Sequence, residues 1–249
     1  MTQLTRAVVD VELPELESAT AEVAVAWALR SFARGRVAVV TALQKEGMVV
    51  VDLALRLDPA VRIATIDTGR LPAETHAFLD TARARYRRDI EVRRPQPDRV
   101  VDFLAAHGPD AFAISPELRL ACCELRKVEP AAELLGGLDC WLTGLRRGHS
   151  SLRADTPVAE RDHAHGGIVK VNPLAAWSEA QVDAYLAEHA VPVHPLYAQG
   201  YRSIGCAPCT RAVSPGADIR SGRWWWEQGV DTECGIHRRP RLAGVGGEA

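Results

Sequence analysis

The chain lacks the features that would place it in several large classes of protein. It has no run of about 18 apolar residues, and residues 1–10 hold no signal-peptide core, so we expect a soluble, cytoplasmic protein. Its formal net charge of −2 gives no general attraction to nucleic acid or to a membrane. Repeats and low-complexity tracts are absent from the sequence as well. Any anion that this protein binds must therefore be held by a local group of basic residues.

The six cysteines also lack the pattern of a secreted disulfide framework. Four of them form two close pairs, Cys122–Cys123 and Cys206–Cys209, and Cys234 lies apart near the C-terminus. Close pairs are typical of metal ligands, whereas a separate thiol is typical of a nucleophile or of an incidental free cysteine. Cys140 lies inside an apolar run and is predicted to be a small core residue.

Strand-like and helix-like patterns alternate along the chain and predict an α/β fold. Short apolar runs predict strands at 36–41, 61–66, 139–143, 157–162 and 168–171. Helical periodicity predicts helices at 15–34, 48–57, 72–86 and 178–189, and one more that begins after Ser115 and ends before Pro130. Residues 90–93 and 100–107 repeat the strand–helix alternation more weakly. Such units in succession indicate a mostly parallel sheet covered by helices on both faces.

We predict a single domain over residues 1–249, because a chain that is 47% hydrophobic can bury one full core. An N-terminal helix at about 15–35 would precede an α/β core at 36–200. The region 201–237 is rich in Cys, Arg and Gly and is expected to form irregular loops and a tail. Three consecutive tryptophans, as at Trp224–Trp226, more often anchor such a tail to the body of a protein than stack on an adenine.

The loops after the predicted strands are the expected place for a ligand, because parallel sheets bind ligands beyond the C-terminal ends of their strands. Thr68 and Gly69 would allow close approach of the backbone, and the helix opened by Pro72 has an N-terminus that favours an anion. A plain tight turn would account for the same residues. A later loop, GLRRGH at 144–149, places paired arginines in the same region, although an ordinary solvated surface also carries such pairs.

The two cysteine pairs suit either a structural zinc ion or an iron–sulfur cluster. Adjacent cysteines on a helix are an awkward chelate for one zinc ion, whereas a cluster offers separate iron corners, so the pattern favours a cluster, although spacing alone does not decide. A thioredoxin-like redox pair at Cys206 and Cys209 is a further alternative. Arg126 and Lys127 are expected on the helix face of Cys123, where they would favour thiolate or another anion.

Taken together, several motifs resemble those of the assimilatory adenylyl-sulfate (APS) reductase family, part of the APS/PAPS reductases. They are IDTGRLPAET, CCELRKVEP, WLTGLRRGHS, VKVNPLAAW, GYRSIGCAPCTR, GRWWWE and TECGIH, in that order along most of the chain. The resemblance implies a Rossmann-like adenine-nucleotide α-hydrolase fold. It also implies reduction of APS to sulfite and AMP in sulfate assimilation, with thioredoxin or a glutaredoxin-like protein as electron donor, and it suggests a homo-oligomer.

The same resemblance implies roles for individual residues. A [4Fe–4S] cluster would be held by Cys122, Cys123, Cys206 and Cys209, and Cys234 would form an S-sulfocysteine intermediate. The phosphosulfate would be held by Lys127, Arg220 and Arg223, next to a basic loop with Arg146, Arg147 and Arg153. Further substrate contacts are predicted at Thr41, Thr68, Gly69, Gly144 and His237. Residues after about Gly229 are expected to be mobile without substrate, because the tail must reach the sulfur.

Two positions depart from the family pattern. The first loop, usually rich in Ser and Gly, reads TALQKEG here, so only Thr41 and Gln44 offer comparable hydrogen bonds. The same loop argues against a pyrophosphate-forming ligase or amidotransferase, which needs a Ser-Gly-Gly type of phosphate cradle. His149 stands where glutamine is usual.

The cysteines also distinguish this function from two alternatives. Reductases of the 3′-phosphorylated substrate, PAPS, generally lack the four cluster cysteines, so these favour APS, with a PAPS or dual-specificity reductase as the alternative. A non-catalytic metal-binding or regulatory protein on this fold would be expected to lack the tail thiol, and Cys234 is present.

Overall fold

A computed structural model describes residues 11–227 and 235–237 of the chain. Six strands form one sheet: β1 (Val37–Val40), β2 (Arg62–Ile66), β3 (Glu91–Arg93), β4 (Cys140–Leu142), β5 (Ala159–Asp162) and β6 (Ile168–Val171). Their order is β3-β2-β1-β4-β6-β5, and neighbouring strands are parallel except for the antiparallel edge strand β5. The predicted α/β fold with a mostly parallel sheet is therefore confirmed.

Helices connect the strands and cover the sheet. They are α1 (Ala21–Ser31), α2 (Lys45–Leu57), α3 (Ala73–Tyr86), α4 (Pro97–His107), α5 (Ala111–Ile114), α6 (Pro116–Cys123), α7 (Glu129–Leu135) and α8 (Glu179–Glu188). Short 3-10 turns include Arg147–His149, Ser151–Arg153, Ala207–Cys209 and Gly235–His237. Within the described ranges, no helix has both the length and the apolar character needed to cross a membrane.

Alternation along the strands separates two apolar layers. Val39 and Leu142 belong to the larger core, which also contains buried residues of α1, α2, α3 and α8. Their neighbours Ala38 and Trp141 point to the opposite face and pack with Leu135 at the end of α7. This is the two-sided burial that parallel strands require, since successive side chains leave the sheet in opposite directions.

The helix starts follow the predicted capping residues. Ser115 accepts a hydrogen bond from the backbone N–H of Leu118 at 3.2 Å and caps α6. Ser178 caps α8 by accepting from the backbone of Gln181, whose side chain in turn accepts from the backbone of Ser178. These reciprocal bonds satisfy N–H groups that the first turn of a helix leaves without partners.

Three sequence predictions were wrong in detail. α1 is shorter than the predicted 15–34. Leu57, predicted to face inward, is 46% exposed because it is the last residue of α2. Pro130 does not end the helix that begins after Ser115. A π turn, Glu124–Val128, follows α6, and Pro130 lies in the first turn of α7, where its missing N–H costs little.

Candidate active site

A cleft opens beyond the C-terminal ends of β1, β2 and β4. Its walls include Thr41 after β1, Thr68 after β2 and Gly144 after β4. The absence of a side chain at Gly144 is necessary here, because a Cβ would lie 2.6 Å from the backbone nitrogen of Gly47. The close approach brings the N-terminus of α2 against the loop after β4.

Most of the predicted substrate-binding residues line this cleft: Thr41, Thr68, Lys127, Gly144, Arg146, Arg153, Arg220 and Arg223. Gly69 is one residue removed from the lining, and its backbone N–H donates to Asp67 at 2.9 Å. Arg147 lies elsewhere: its Nε atom donates to the carbonyl of Thr156, and its guanidinium pairs with Glu17.

Four free cysteines, Cys122, Cys123, Cys206 and Cys209, line a second, smaller cavity next to the cleft. Cys122 and Cys123 end α6, and Cys206 and Cys209 flank a 3-10 turn whose Cys209 N–H donates to Cys206 at 2.9 Å. Thr68 and Lys127 line both cavities, so they form the wall between the thiols and the cleft. The Thr68 hydroxyl is 3.2 Å from the Cys206 sulfur.

The environment of these thiols opposes ionisation when no cation is bound. Burial raises the pKa of Cys122. Burial, and next the charge of Cys206, raises the pKa of Cys209 to about 12. Metal ligation requires thiolates, so a positively charged centre would have to offset both effects. In the described part of the chain, no three Cys, His, Asp or Glu side chains are grouped as ligands of a metal ion.

Two buried guanidinium groups flank the thiols without a carboxylate partner among the described residues. Arg126, 6% exposed, donates to the carbonyl of Thr68 at 2.9 Å and reaches the Cys122 thiol. Arg223, also 6% exposed, has its Nη1 atom 3.5 Å from the hydroxyl of Ser203. Among the residues that the structure describes, the Nε atoms of both arginines have no hydrogen-bond partner. A buried cation without a counterion is costly, so this region is built to receive negative charge.

The tryptophan run holds this region together, as its predicted anchoring role requires. Trp224 is 1% exposed and packs with Phe112, Cys122 and Cys209, while Trp226 packs against the same cluster. The guanidinium of Arg223 lies 4.6 Å from the ring centroid of Trp224. Cation–π contact of this kind orients the arginine without neutralising it.

The opposite end of the cleft has a different charge balance. Arg146 pairs with Glu46 of α2, with its Nη2 atom 2.9 Å from Oε1, and His149 lies 2.9 Å from the same oxygen. Burial alone would raise the pKa of Glu46, but the hydrogen bond from His149 and the positive charge of Arg146 lower it to about 2. Glu46 was not predicted as a site residue from the sequence; the available signal was an acidic residue in the first turn of a helix that follows a strand and its loop.

Polar side chains of the loop after β1 form hydrogen bonds within the protein. The Thr41 hydroxyl accepts from the backbone N–H of Leu43 at 2.9 Å, and Gln44 Oε1 accepts from the backbone N–H of Ile204 at 2.9 Å. Leu43 is buried with φ of +58°, a backbone conformation that favours glycine. These contacts tie the loop after β1 to the segment that leads into Cys206.

The C-terminal segment 235–237 returns to this site. Ile236 lines the cleft and packs against the apolar cluster that contains Leu135 and Trp141. Gly235 lies so close to the π turn that a Cβ would be 2.6 Å from Val128 Cγ2. Cys234 and the side chain of His237 are outside the described residues, as is most of the tail expected to be mobile after Gly229.

Comparison with known proteins agrees with this architecture. The protein-family model of the phosphoadenosine phosphosulfate reductase domain matches residues 36–212 of the chain. The chain is 47% identical over 199 residues to the adenosine 5′-phosphosulfate reductase of Allochromatium vinosum, covering 80% of this chain and 77% of that protein. Its identity to the enzyme of the same name from Burkholderia cepacia is 48% over 197 residues, covering 79% and 78%. The chain belongs to the phosphoadenosine phosphosulfate reductase family, so the resemblance noted in the sequence is confirmed.

Solved structures with the same fold extend the comparison. A phosphoadenylyl-sulfate reductase from Candida auris, in a phosphate complex, superposes with a TM-score of 0.67 at 28% identity, over 82% of this chain and 99% of that one. An FMN adenylyltransferase from Candida glabrata superposes with a TM-score of 0.53 at 15% identity, over 84% and 71% of the two chains. The second likeness shows the fold alone.

Proposed function

We propose that the protein reduces APS to sulfite and AMP, with thioredoxin or a related dithiol protein as electron donor. The observation that carries this proposal is the position of the cleft and the four thiols on either side of one wall, next to two buried arginines that have no carboxylate partner in the described part of the chain. The names of the curated relatives supply the substrate class. We include in this proposal a cytoplasmic role in sulfate assimilation, a single domain over the whole chain and assembly into a homo-oligomer.

The charge distribution suggests how the nucleotide lies. The N-terminus of α2, which could bind a phosphate on this fold, already faces the carboxylate of Glu46. The phosphosulfate is therefore better placed at the other end, beside Lys127, Arg220 and Arg223. The nucleoside then lies towards Thr41 and Gly144. Arg147, which turns away to Glu17, is given no substrate contact.

In the proposed reaction the Cys234 thiolate attacks the sulfur of the sulfate group. An S–S bond forms, the S–O bond to the phosphate breaks, and AMP leaves with the electron pair. A thiolate of the donor then attacks the Cys234 sulfur, which releases sulfite, and the second donor thiol forms the donor disulfide and restores Cys234. The sum is APS plus a dithiol giving AMP, sulfite, a disulfide and two protons. Arg223 and Lys127 would stabilise the charge that builds on the leaving phosphate.

We also propose that Cys122, Cys123, Cys206 and Cys209 hold a [4Fe–4S] cluster. The fit rests on the donor set, because four thiols line one cavity. The Nε atoms of Arg126 and Arg223, which have no hydrogen-bond partner within residues 11–227 and 235–237, mark a place for negative charge. Ligands that each bind a different iron need not converge on one point, unlike the ligands of a zinc ion. When bound, the cluster would supply a fixed local charge next to Lys127 rather than electrons, because both electrons come from thiols.

Anaerobic purification followed by metal and sulfide analysis and by turnover assays tests the proposal. We expect four irons and four sulfides per chain, and a higher kcat/KM for APS than for PAPS. Zinc in place of iron would contradict the cluster. Comparable kcat/KM values for the two nucleotides would favour the dual-specificity alternative, and absence of turnover with both would remove the enzymatic function.

A further inference from the structure

The side chain of His149 lies between an acidic and a basic group at the edge of the cleft. Its Nε2 atom is 2.9 Å from Glu46 Oε1, and its Nδ1 atom is 3.0 Å from Nη1 of Arg153. The backbone N–H of Arg146 also faces Nδ1, at 3.3 Å. These four residues all line the cleft, and the His149 side chain is only 14% exposed.

The partners define which ring nitrogen carries the proton. A guanidinium group and a backbone N–H can only donate, so Nδ1 of His149 must accept and carries no hydrogen. The Glu46 carboxylate can only accept, so Nε2 carries the hydrogen and donates it. Burial, the largest cause, together with the charges of Arg153 and Arg146 lowers the pKa of His149, although Glu46 acts in the opposite direction. The ring is therefore neutral at neutral pH.

We propose that His149 is a positioning residue that, as a neutral acceptor fixed by Glu46, holds the guanidinium of Arg153 at the rim of the cleft. There Arg153 can meet an anionic nucleotide. The identity of that nucleotide rests on the proposed function, but the hydrogen-bond arrangement does not. The contacts join the N-terminal turn of α2 to the Ser151–Arg153 turn, so they limit the positions that the long Arg153 side chain can take.

A glutamine at position 149 could make the same two contacts. The Nε2–H tautomer offers one donor and one acceptor, and a glutamine amide offers the same pair. A glutamine here would donate to Glu46 and accept from Arg153. The two residues differ in one respect: histidine can gain a proton on Nδ1, and glutamine cannot.

Protonation of Nδ1 would place two hydrogen-bond donors, Nδ1–H of His149 and the guanidinium of Arg153, opposite each other. The charged groups that face the ring are Glu46 from α2 and Arg146 and Arg153 from its own segment. A proton on Nδ1 would end its acceptance from Arg153. Because the pKa of His149 in the folded protein is below its usual value of about 6.5, the contact is present at neutral pH and lost as the pH falls through that lower value.

Nitrogen-15 NMR of the histidine side chains in the full protein tests the arrangement without any assay of activity. The expected result is a neutral Nε2–H ring at position 149 at pH 7, with a pKa below the usual histidine value of about 6.5. A His149→Gln spectrum assigns the signal. A ring that is Nδ1–H, or already protonated at pH 7, would overturn the inference. That result would leave the proposed function standing, since turnover of APS is measured separately.

Steady-state kinetics with APS tests the positioning role. His149→Ala is expected to raise KM about tenfold with kcat within about twofold, as for one lost charge-assisted contact. The proposal predicts that KM of the natural protein rises at acidic pH, and His149→Gln should restore most of the affinity and remove that rise. His163→Ala is the matched control and should change neither parameter. A KM for His149→Ala equal to that of the control, or an acidic limb that persists in His149→Gln, would refute the proposal.

Discussion

The two ends of the cleft both contain arginine, but their charges are used differently. At the paired end, defined by Glu46, Arg146 and His149, a carboxylate with a strongly lowered pKa neutralises the guanidinium. At the thiol end, defined by Lys127, Arg126, Arg223 and the four cavity cysteines, two buried guanidiniums have no carboxylate partner in the described ranges. This difference in pairing, rather than the number of basic residues, is the reason to place the proposed anion at the thiol end.

The largest effect is expected from the thiol end itself. Cys209→Ser should remove the iron and the activity together, because an alcohol is a far poorer ligand for iron than a thiolate. Cys140→Ala is the matched control: Cys140 is fully buried in β4, and burial raises the pKa of its thiol well above the usual range, so it should contribute packing alone. Iron analysis and APS turnover check both variants. Iron retained at full occupancy in Cys209→Ser would break the proposed ligand set.

Removal of an unpaired arginine should have the next largest effect. Arg223→Ala is expected to lower kcat/KM for APS by roughly 10²–10³-fold, the loss of about 2.7–4 kcal/mol typical of a charge that faces a reacting anion. Arg147→Ala, whose guanidinium pairs with Glu17 outside the cleft, should change kcat/KM less than about twofold. Similar losses in the two variants would contradict the distinction between paired and unpaired arginines.

The paired end should contribute to stability in a pH-dependent way. The pKa of Glu46 is lowered in the folded protein to about 2 from an ordinary value near 4.5, so its ionised form stabilises the fold above that ordinary value. The contribution, on the order of 3 kcal/mol, is lost as the pH falls from about 4.5 towards 2. Urea unfolding of Glu46→Gln against the natural protein should show a deficit at pH 6 that shrinks at pH 3. A deficit that is the same at both pH values would contradict this role.

A smaller effect is expected where the tail returns to the cleft. Ile236→Ala removes apolar contact with the cluster that contains Trp141, so it should slow the first chemical step several-fold while AMP affinity stays unchanged. Ile114→Ala, at an isoleucine that is 68% exposed, is the control. Rapid-quench measurement of the covalent intermediate gives the rate. An unchanged rate in Ile236→Ala would show that this contact does not help to position the tail.

The sequence predicted the fold well because its signals are local. The β-branched runs of β1 and β2 and the Ser115 and Ser178 caps lie within a few residues of the structure they determine. The predicted end of the helix before Pro130 was wrong, since the π turn Glu124–Val128 leads directly into α7, whose first turn contains the proline. No comparable local signal marks a π turn.

The site was predictable in composition but not in charge balance. The cysteine pairs and most of the basic residues were expected, and the structure brings them to adjoining cavities. The pairing of Glu46 with Arg146 joins residues a hundred positions apart, and only the packing of α2 against Gly144 brings them together. The side chains of the adjacent Arg146 and Arg147 likewise form ion pairs with residues distant in the sequence. Arg146 pairs with Glu46, and Arg147 pairs with Glu17.

The most direct test of the central claim is the intact mass of the natural protein after mixing with APS in the absence of any thiol donor. If the anion is held at the thiol end for attack by the tail thiol, each chain should gain one sulfite unit on Cys234. A dithiol should then remove it, and Cys234→Ser should form no adduct while keeping its iron. An adduct on one of the other cysteines, or normal turnover by Cys234→Ser, would contradict the account.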